Sequence, residues 1–248
     1  MTELSVIIPV FNDREVLPEL YRRLIPVLNG LSSNFEIVFI DDGSKDESVE
    51  ILKDLQNNDY RIKIVILANN FGQSNAIAAG LENCSGDVIV VMDCDLEDRP
   101  EDIPKLIEVI EKNDEQMAIA QREIRKDSHW NKLLSKLFFQ VAAGLTEIEH
   151  PENLGVFRAF KRSVYQHIKQ DKELHGTILS RFYLAKIPFA TVKLVKEKRF
   201  AGRSGYTFRK RCKLALDRLL PHLKNKRLRQ LRDPYFVIKE IIEIRETK

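Results

Sequence analysis

The first hundred residues alternate short apolar runs with amphipathic segments, and this alternation constrains the fold more than any other feature of the chain. The apolar runs are rich in valine and isoleucine, as strands covered on both faces are. The segments between them carry apolar residues at helical spacing. Strands that alternate with helices form a mostly parallel sheet flanked by helices. We therefore predict an α/β fold with strands at 5–10, 35–40, 62–67 and 87–92 and helices at 13–28, 46–57 and 73–83.

Three of the predicted strands end in polar residues. The runs are Phe11-Asn12-Asp13 after the first strand, Asp41-Asp42-Gly43-Ser44 after the second and Asp93-Cys94-Asp95 after the fourth. The carboxyl ends of parallel strands lie at one edge of a sheet, which is where open α/β sheets bind ligands. We therefore expect residues from all three runs to meet in a single crevice. Ser44 and Glu47 also have the spacing of a capping box, which predicts a helix start there.

Asp93 and Asp95 are the most informative pair in these runs. Alternation along an extended chain points both side chains to the same side, so they could hold one hard cation and the diphosphate that it neutralises. The alternative is that Asp95 caps the next helix. The residues alone leave both interpretations open.

Other nucleotide and metal motifs are missing from the sequence. The turn after the first strand has no G-x-G-x-x-G pattern, and the chain has no glycine-rich P-loop. A nucleotide would therefore need other partners, such as Asp41 or Asp42 for its base or ribose. The five histidines are scattered, and their spacing predicts no metal site.

The net charge of +3 conceals two segments of opposite sign. Residues 1–120 contain 24 acidic and 10 basic side chains, whereas residues 193–232 contain 15 basic and 2 acidic ones. The acidic half suits cations and cation-bound phosphates, and the basic segment suits an anionic surface such as lipid headgroups. A solvated helix face is the alternative for the basic segment. Its few aromatic residues argue against nucleic-acid binding.

Composition indicates one domain with a C-terminal extension. A chain of 248 residues that is 44% hydrophobic can bury a substantial core. The three cysteines are widely spaced, and the N-terminus lacks a signal segment. No apolar run approaches the roughly 20 residues that cross a bilayer. We expect a cytoplasmic protein without a transmembrane helix.

Five linked motifs in the first 101 residues resemble those of family 2 glycosyltransferases with the GT-A fold. They are 6–13 (Val-Ile-Ile-Pro-Val-Phe-Asn-Asp), 41–46 (Asp-Asp-Gly-Ser-Lys-Asp), 70–72 (Asn-Phe-Gly), 86–87 (Gly-Asp) and 93–101 (Asp-Cys-Asp-Leu-Glu-Asp-Arg-Pro-Glu). The chain is most similar to the branch that includes dolichol-phosphate mannose synthase and bacterial polyprenyl-phosphate glycosyltransferases. The resemblance implies a GT-A domain at 1–200, with a nucleotide-sugar-binding half (1–120) and an acceptor half (121–200), followed by a basic amphipathic extension at 201–248.

The resemblance also implies an activity, namely inverting, metal-dependent transfer of a sugar from a nucleotide-sugar to a polyprenyl phosphate. Mg²⁺ or Mn²⁺ held by Asp95, with Asp93 on the ribose or the metal, would stabilise the departing diphosphate. The first motif ends in Asp13, where the family more often has Glu. The residues expected to hold the nucleotide are Pro9, Phe11, Asn12, Asp13, Asp41, Asp42, Gly72 and Asp93.

The acceptor motif around Gly155 departs from the family. Asn153 stands where the branch usually has an Asp, which leaves Glu152 as an alternative base and Arg158 as a catalytic candidate. A phosphate monoester needs no base, because its second pKa is about 6 and it is mostly ionised at neutral pH. Transfer to a hydroxyl of a growing cell-surface glycan is the alternative reaction. A nucleotide-sugar-binding module with little or no turnover is a second alternative.

The remaining expectations concern the acceptor and the membrane. Residues 199–210 are similar to a basic loop, Arg-x-x-Gly-x-Ser-x-Tyr, that lies against the membrane in this branch. The resemblance implies a peripheral position at the inner face of the cell membrane, with an amphipathic helix at about 208–220, although this helix could equally pack on the domain. The residues expected to bind the acceptor are Arg122, Arg125, His175, Arg199, Arg203, Ser204 and Tyr206.

Overall fold

The computed structural model describes residues 3–112, 116–122, 154–171, 174–200 and 233–243. Within these ranges, eight strands form one sheet in the order β7-β5-β6-β4-β1-β2-β3-β8. The strands are β1 (Leu4–Val10), β2 (Phe35–Asp41), β3 (Ile62–Leu67), β4 (Val88–Val91), β5 (Met117–Arg122), β6 (Leu154–Lys161), β7 (Ala190–Leu194) and β8 (Ile238–Ile242). The helices are α1 (Leu17–Leu31), α2 (Ser48–Asn58), α3 (Gln73–Asn83), α4 (Ile103–Lys112), α5 (Arg162–Gln170) and α6 (Ile178–Leu184), with a 3₁₀ turn at Pro100–Asp102.

The four strands predicted from the first hundred residues form the parallel centre of the sheet. β1 lies between β2 and β4, with Leu4 opposite Phe35 on one side and Val88 on the other, and β3 continues the sheet beyond β2. β6 and β8 run antiparallel to their neighbours, while β7 is parallel to β5. The predicted α/β fold with a mostly parallel sheet is confirmed, and its strand boundaries agree within about one residue.

Two helix starts differ from the sequence prediction. α1 begins at Leu17 rather than Asp13, because residues 13–16 form a turn and a proline occupies the first turn of the helix. α2 begins at Ser48, and Glu47 makes no side-chain cap. The capping box at Ser44 is therefore wrong. The Ser44 hydroxyl instead accepts a hydrogen bond from the Asn12 amide at 3.0 Å and ties the ends of two neighbouring strands together.

The core lies on both faces of the sheet, as expected for strands covered on both sides. Val6 and Ile8 pack with α1, α2 and α4, whereas Ile7 packs with α3, α5 and α6. α3 lies so close to the sheet that a Cβ at Gly80 would be 2.5 Å from the Ile7 side chain. Among the helices described, none has the length and apolarity that crossing a bilayer requires.

The chain returns to the sheet after residue 232. β8 pairs with β3, and the Gln56 side chain donates hydrogen bonds to the carbonyls of Ile62 in β3 and of Glu243 just after β8. The Asp233 carboxylate accepts hydrogen bonds from the Gly176 amide at 2.8 Å and from Arg181 at 2.9 Å. The strand Ile238–Ile242, which lies in the predicted extension, thus belongs to the same sheet, while the division into a domain and an extension stays a prediction.

Candidate functional site

The ends of β1 and β2 are joined by backbone and side-chain hydrogen bonds at one edge of the sheet. The Asp42 amide donates to the Val10 carbonyl at 2.8 Å, and the Lys45 amide donates to the Asn12 side chain at 2.8 Å. β4 lies on the other side of β1 and runs parallel to it, so Asp93 and Asp95 follow at the same edge. The predicted convergence of the three polar runs is confirmed.

Gly43 lets the end of β3 pack against the end of β2. Its φ is +72°, and a Cβ built there would lie 2.7 Å from the Asn69 carbonyl carbon and 2.8 Å from the Asn70 nitrogen. Both obstacles are backbone atoms, so they cannot move aside as a side chain would. The close approach of residues 69–72 to this turn therefore depends on glycine.

Asp42 orders the loop that leads into α3. Asp42 is 3% exposed, and its carboxylate accepts hydrogen bonds from the Phe71 amide at 2.7 Å and the Gly72 amide at 2.9 Å. Asp41 is also buried and accepts a hydrogen bond from the Ser44 amide at 3.1 Å. Both acids therefore shape the loops at this edge, and their direct contact with a nucleotide stays a prediction.

Titration of Asp42 is expected to make stability depend on pH. Burial raises the pKa of Asp42 from 3.8 to about 6, although the two amide donors partly offset that rise. The unfolded chain therefore ionises at lower pH than the folded chain does. The contribution of Asp42 to the free energy of unfolding is greatest below about pH 4, falls as the pH rises from about 4 to 6, and is constant above that range, the whole change being about 2–3 kcal/mol.

Urea unfolding of wild type and Asp42→Asn at several pH values between 4 and 7 measures this contribution. The variant loses one amide hydrogen bond at every pH, which lowers its free energy of unfolding by a constant amount. The titration of Asp42 is therefore measured by how the difference in free energy of unfolding between wild type and variant changes with pH. Asp54→Asn, at an exposed position on α2, shows what the same chemical change does outside the site. Parallel curves for wild type and Asp42→Asn would contradict the raised pKa.

The two acids after β4 face one way, and the cysteine between them faces the other. Cys94 is buried in the core, whereas Asp93 and Asp95 are only partly buried. Burial raises the pKa of the Cys94 thiol well above its usual range, so the thiol stays neutral within the core. Burial thus alternates along residues 93–95 as predicted, although the strand itself ends at Val91 and residues 94–95 form a turn.

Each of the two acids has a different partner. The Gln73 side chain, at the start of α3, donates to Asp93 Oδ1. Asp95 Oδ1 accepts from the Glu97 amide at 3.0 Å, and Asp95 Oδ2 accepts from Arg199 Nη2 at 2.6 Å and Nε at 3.2 Å. The next helical turn begins only at Pro100, so the helix-cap alternative for Asp95 is wrong.

Asp13 belongs to the same electrostatic environment. Burial raises its pKa, the Phe11 amide and Arg199 lower it, and Asp95 raises it again. The carboxylates of Asp13 and Asp95 therefore lie near one another and near the Arg199 guanidinium. Phe11 is 42% exposed at this edge, which leaves its ring accessible to a ligand.

The donor atoms at this edge fit a hard divalent cation that arrives with a ligand of its own. Within the described ranges, no group of three or more His, Cys, Asp or Glu side chains could hold a metal ion alone. Asp95 and Asp93 offer carboxylate oxygens, which Mg²⁺ and Mn²⁺ prefer, and Asp95 already pairs with a cationic group. The remaining ligands would come from a diphosphate and water.

Arg158 lies inside the protein below this edge. It is 2% exposed, and its guanidinium donates to the carbonyls of Val156 at 3.0 Å and Gly155 at 2.9 Å. The same group lies 5.4 Å from the centre of the Phe182 ring. Arg158 therefore supports the beginning of β6, and its predicted contact with substrate stays a prediction.

The other acceptor candidates fall into two groups. His175 Nδ1 lies 3.0 Å from Asp233 Oδ2, so it takes part in anchoring the segment that leads to β8. Arg122 ends β5, opposite Leu194. Arg125, Glu152, Asn153, Arg203, Ser204 and Tyr206 lie outside the described residues, as does the predicted helix at 208–220.

Three contacts at or near the site were not predicted from the sequence. They are Gln73 with Asp93, Arg199 with Asp95, and Asp233 with the loop before α6. Gln73 directly follows the Asn-Phe-Gly motif, which was a local signal for it. The other two contacts join distant parts of the chain and have no such signal.

The comparisons with known proteins agree with this geometry. The family model described as "Glycosyl transferase family 2" matches residues 5–169. The chain is 33% identical over 215 residues to the uncharacterized glycosyltransferase YkcC of Bacillus subtilis, a match that covers 87% of this chain and 67% of that protein. It is 38% identical over 162 residues to an undecaprenyl-phosphate 4-deoxy-4-formamido-L-arabinose transferase of Pseudomonas syringae, covering 65% of this chain and 48% of that relative. The chain thus spans only about half the length of this second relative.

Among solved structures, the fold is similar to that of glucosyl-3-phosphoglycerate synthase from Mycobacterium tuberculosis in complex with Mn²⁺, uridine diphosphate and glucosyl-3-phosphoglycerate. The TM-score is 0.55 at 18% identity, and the match covers 81% of this chain and 73% of that one. The two chains share the GT-A fold.

Proposed function

The chain belongs to glycosyl transferase family 2, and from this membership we propose that it moves a sugar from a nucleotide-sugar to a polyprenyl phosphate, with inversion at the anomeric carbon and with Mg²⁺ or Mn²⁺ at Asp95. That the chain is a glycosyltransferase follows from the family. The donor, cation and acceptor are the proposal. The observation that carries it is the meeting of three acidic strand ends at one edge of the sheet, where Asp95 already pairs with a cationic group.

The donor end of the site is built from the loops after β1, β2 and β3. Phe11 and Asn12 are exposed at the edge, and Asp42 holds the Phe71 and Gly72 amides in place. In this proposal these loops bind the nucleoside, and Asp93 and Asp95 face its diphosphate. A divalent cation bound there would neutralise the charge that forms on the nucleoside diphosphate as it leaves. Uridine diphosphate with Mn²⁺ bound to the structurally similar synthase supports this arrangement.

A lipid phosphate as acceptor suits both the relatives and the residues. The Pseudomonas syringae relative is named as acting on undecaprenyl phosphate. A phosphate monoester is a nucleophile without deprotonation, because its second pKa is about 6. Asn153, which cannot take a proton, is compatible with such an acceptor. Basic side chains in residues 193–232 would then face the anionic surface in which the acceptor sits, at the inner face of the cell membrane.

Transfer assays with matched acceptors test the proposal. Uridine, guanosine, thymidine and cytidine diphosphate sugars are screened with Mn²⁺ for binding, and the donor that binds is then offered a short polyprenyl phosphate or the same polyprenol without phosphate. We expect a lipid-linked product from the phosphate alone, with the opposite anomeric configuration to the donor. Product from a glycan hydroxyl instead would favour the alternative acceptor. Donor binding without any product would favour a binding module.

Glu152→Gln separates the two acceptor chemistries within the same assay. If the acceptor is a phosphate, no general base is needed, and kcat should change by less than about threefold. If it is a hydroxyl and Glu152 is its base, kcat should fall by about 10²–10⁴-fold. Asn153→Asp is the matched variant, because it adds a carboxylate next to the position where Glu152→Gln removes one. It should not accelerate transfer to a phosphate. A large loss of transfer to the polyprenyl phosphate in Glu152→Gln would contradict the proposal that the acceptor is a phosphate that needs no general base.

A further inference from the structure

The Arg199 guanidinium donates hydrogen bonds to the Asp95 carboxylate, which is the group that binds the cation in the proposed function. Arg199 Nη2 and Nε both approach Asp95 Oδ2, at 2.6 and 3.2 Å, while Asp95 Oδ1 accepts from the Glu97 amide. The Asp95 side chain is 13% exposed and that of Arg199 is 34% exposed, so this pair is partly shielded from water. The two partners are 104 residues apart in sequence.

The residues before Arg199 are held by contacts that do not involve Asp95. The Glu197 amide donates to the Glu97 carbonyl at 3.0 Å, and the Glu197 carboxylate pairs with Arg23 at 3.1 Å. The Lys196 ammonium lies 3.2 Å from Glu97 and 3.3 Å from Asp98. Loss of the Arg199–Asp95 pair would therefore leave residues 196–197 in place.

We propose that Arg199 and the divalent cation compete for Asp95, so that binding of the cation releases the Arg199 side chain. This inference rests on the proposed cation site. A doubly charged ion that coordinates Asp95 Oδ2 repels a guanidinium bound to the same oxygen, and both need the same lone pairs.

Manganese titration of the protein alone measures this competition directly. Free Mn²⁺ is followed by its electron paramagnetic resonance signal in wild type, Arg199→Met, Arg99→Met and Asp95→Asn. We expect Arg199→Met to bind Mn²⁺ about fivefold more tightly than wild type, as loss of one partly exposed ion pair predicts. Arg99→Met removes a positive charge from the same acidic segment without touching Asp95, and its affinity should change by less than about twofold.

The outcomes separate the competition from the proposed function. The competition is overturned if wild type and Arg199→Met bind Mn²⁺ with equal affinity, or if Arg199→Met and Arg99→Met gain Mn²⁺ affinity equally. Either result leaves the proposed transferase function unaffected. Mn²⁺ binding that is undiminished in Asp95→Asn removes the cation site on which both depend.

Limited proteolysis tests the release of Arg199. Trypsin cleavage after Arg199 and after Lys196 is timed by mass spectrometry in wild type with and without Mg²⁺. We expect Mg²⁺ to accelerate cleavage after Arg199 at least about threefold, because local opening governs such cleavage. Cleavage after Lys196 should keep its rate, since its contacts lie outside Asp95. Protection of the Arg199 bond by Mg²⁺, or equal acceleration at both bonds, contradicts the proposal.

Discussion

Asp95→Asn is expected to lower sugar transfer at least about 10³-fold and to remove the Mn²⁺ dependence of donor binding. A bound cation contributes several kcal/mol of charge stabilisation in the transition state, and each 1.36 kcal/mol is worth about tenfold in rate. Asparagine keeps the size of the side chain and one acceptor oxygen, so the loss reports the missing charge. Fold stability should change little, because Asp95 is at the edge of the sheet and outside the core.

Calorimetric titration with the preferred donor, with and without Mn²⁺, measures the Mn²⁺ dependence of donor binding. The kcat of the transfer assay measures the loss of sugar transfer. Asp87→Asn is the control, because Asp87 is an exposed acid directly before the same strand, at its opposite end. Donor binding by Asp95→Asn that still tightens with Mn²⁺ as in wild type would rule out the cation site.

Gly43→Val should give the largest loss of stability among substitutions at the site. A β-branched side chain at φ +72° is strained, and its Cβ would overlap the backbone at Asn69 and Asn70. We expect a loss of about 3 kcal/mol or more, combining left-handed strain with overpacking. For a chain of this size that loss corresponds to a fall in Tm of about 6–12 °C. Donor binding should weaken as well, because residues 69–72 would move away from the turn.

Thermal unfolding of Gly43→Val, Gly43→Ala and Gly30→Ala gives the comparison. Gly43→Ala should show a smaller loss of the same sign. Gly30 lies in α1 with open space around it, so Gly30→Ala is expected to be neutral or to stabilise the protein by about 0.5–1 kcal/mol. A Tm for Gly43→Val within about 2 °C of wild type would show that the close packing at this turn is not required.

The sheet centre could be predicted because its signals are local. Runs such as 5–10 and 35–40 are β-branched and apolar, and parallel topology then places their polar ends at one edge without further information. The orientation of Asp93 and Asp95 followed from strand alternation in the same way. These features depend only on neighbouring residues and on the regular geometry of a sheet.

The features that the sequence did not predict share a physical origin in contacts between distant parts of the chain. Ser44 has the right spacing for a cap, but the exposed Asn12 amide on the neighbouring loop competes for its hydroxyl. Arg158 lies against the Phe182 ring, a neighbour that the motif around Arg158 does not predict. Arg199 reaches Asp95 across 104 residues. Spacing within a motif carries no information about such partners.

The pairing of β8 with β3 has a consequence for how the sheet ends. Without β8, β3 would present unpaired amide and carbonyl groups to any other strand, and β8 covers β3 from Ile64 to Leu67. The Asp233 carboxylate holds the chain that leads into β8, because it accepts hydrogen bonds from the Gly176 amide and from Arg181. Loss of the β8 pairing would therefore expose a template for strand addition and favour aggregation.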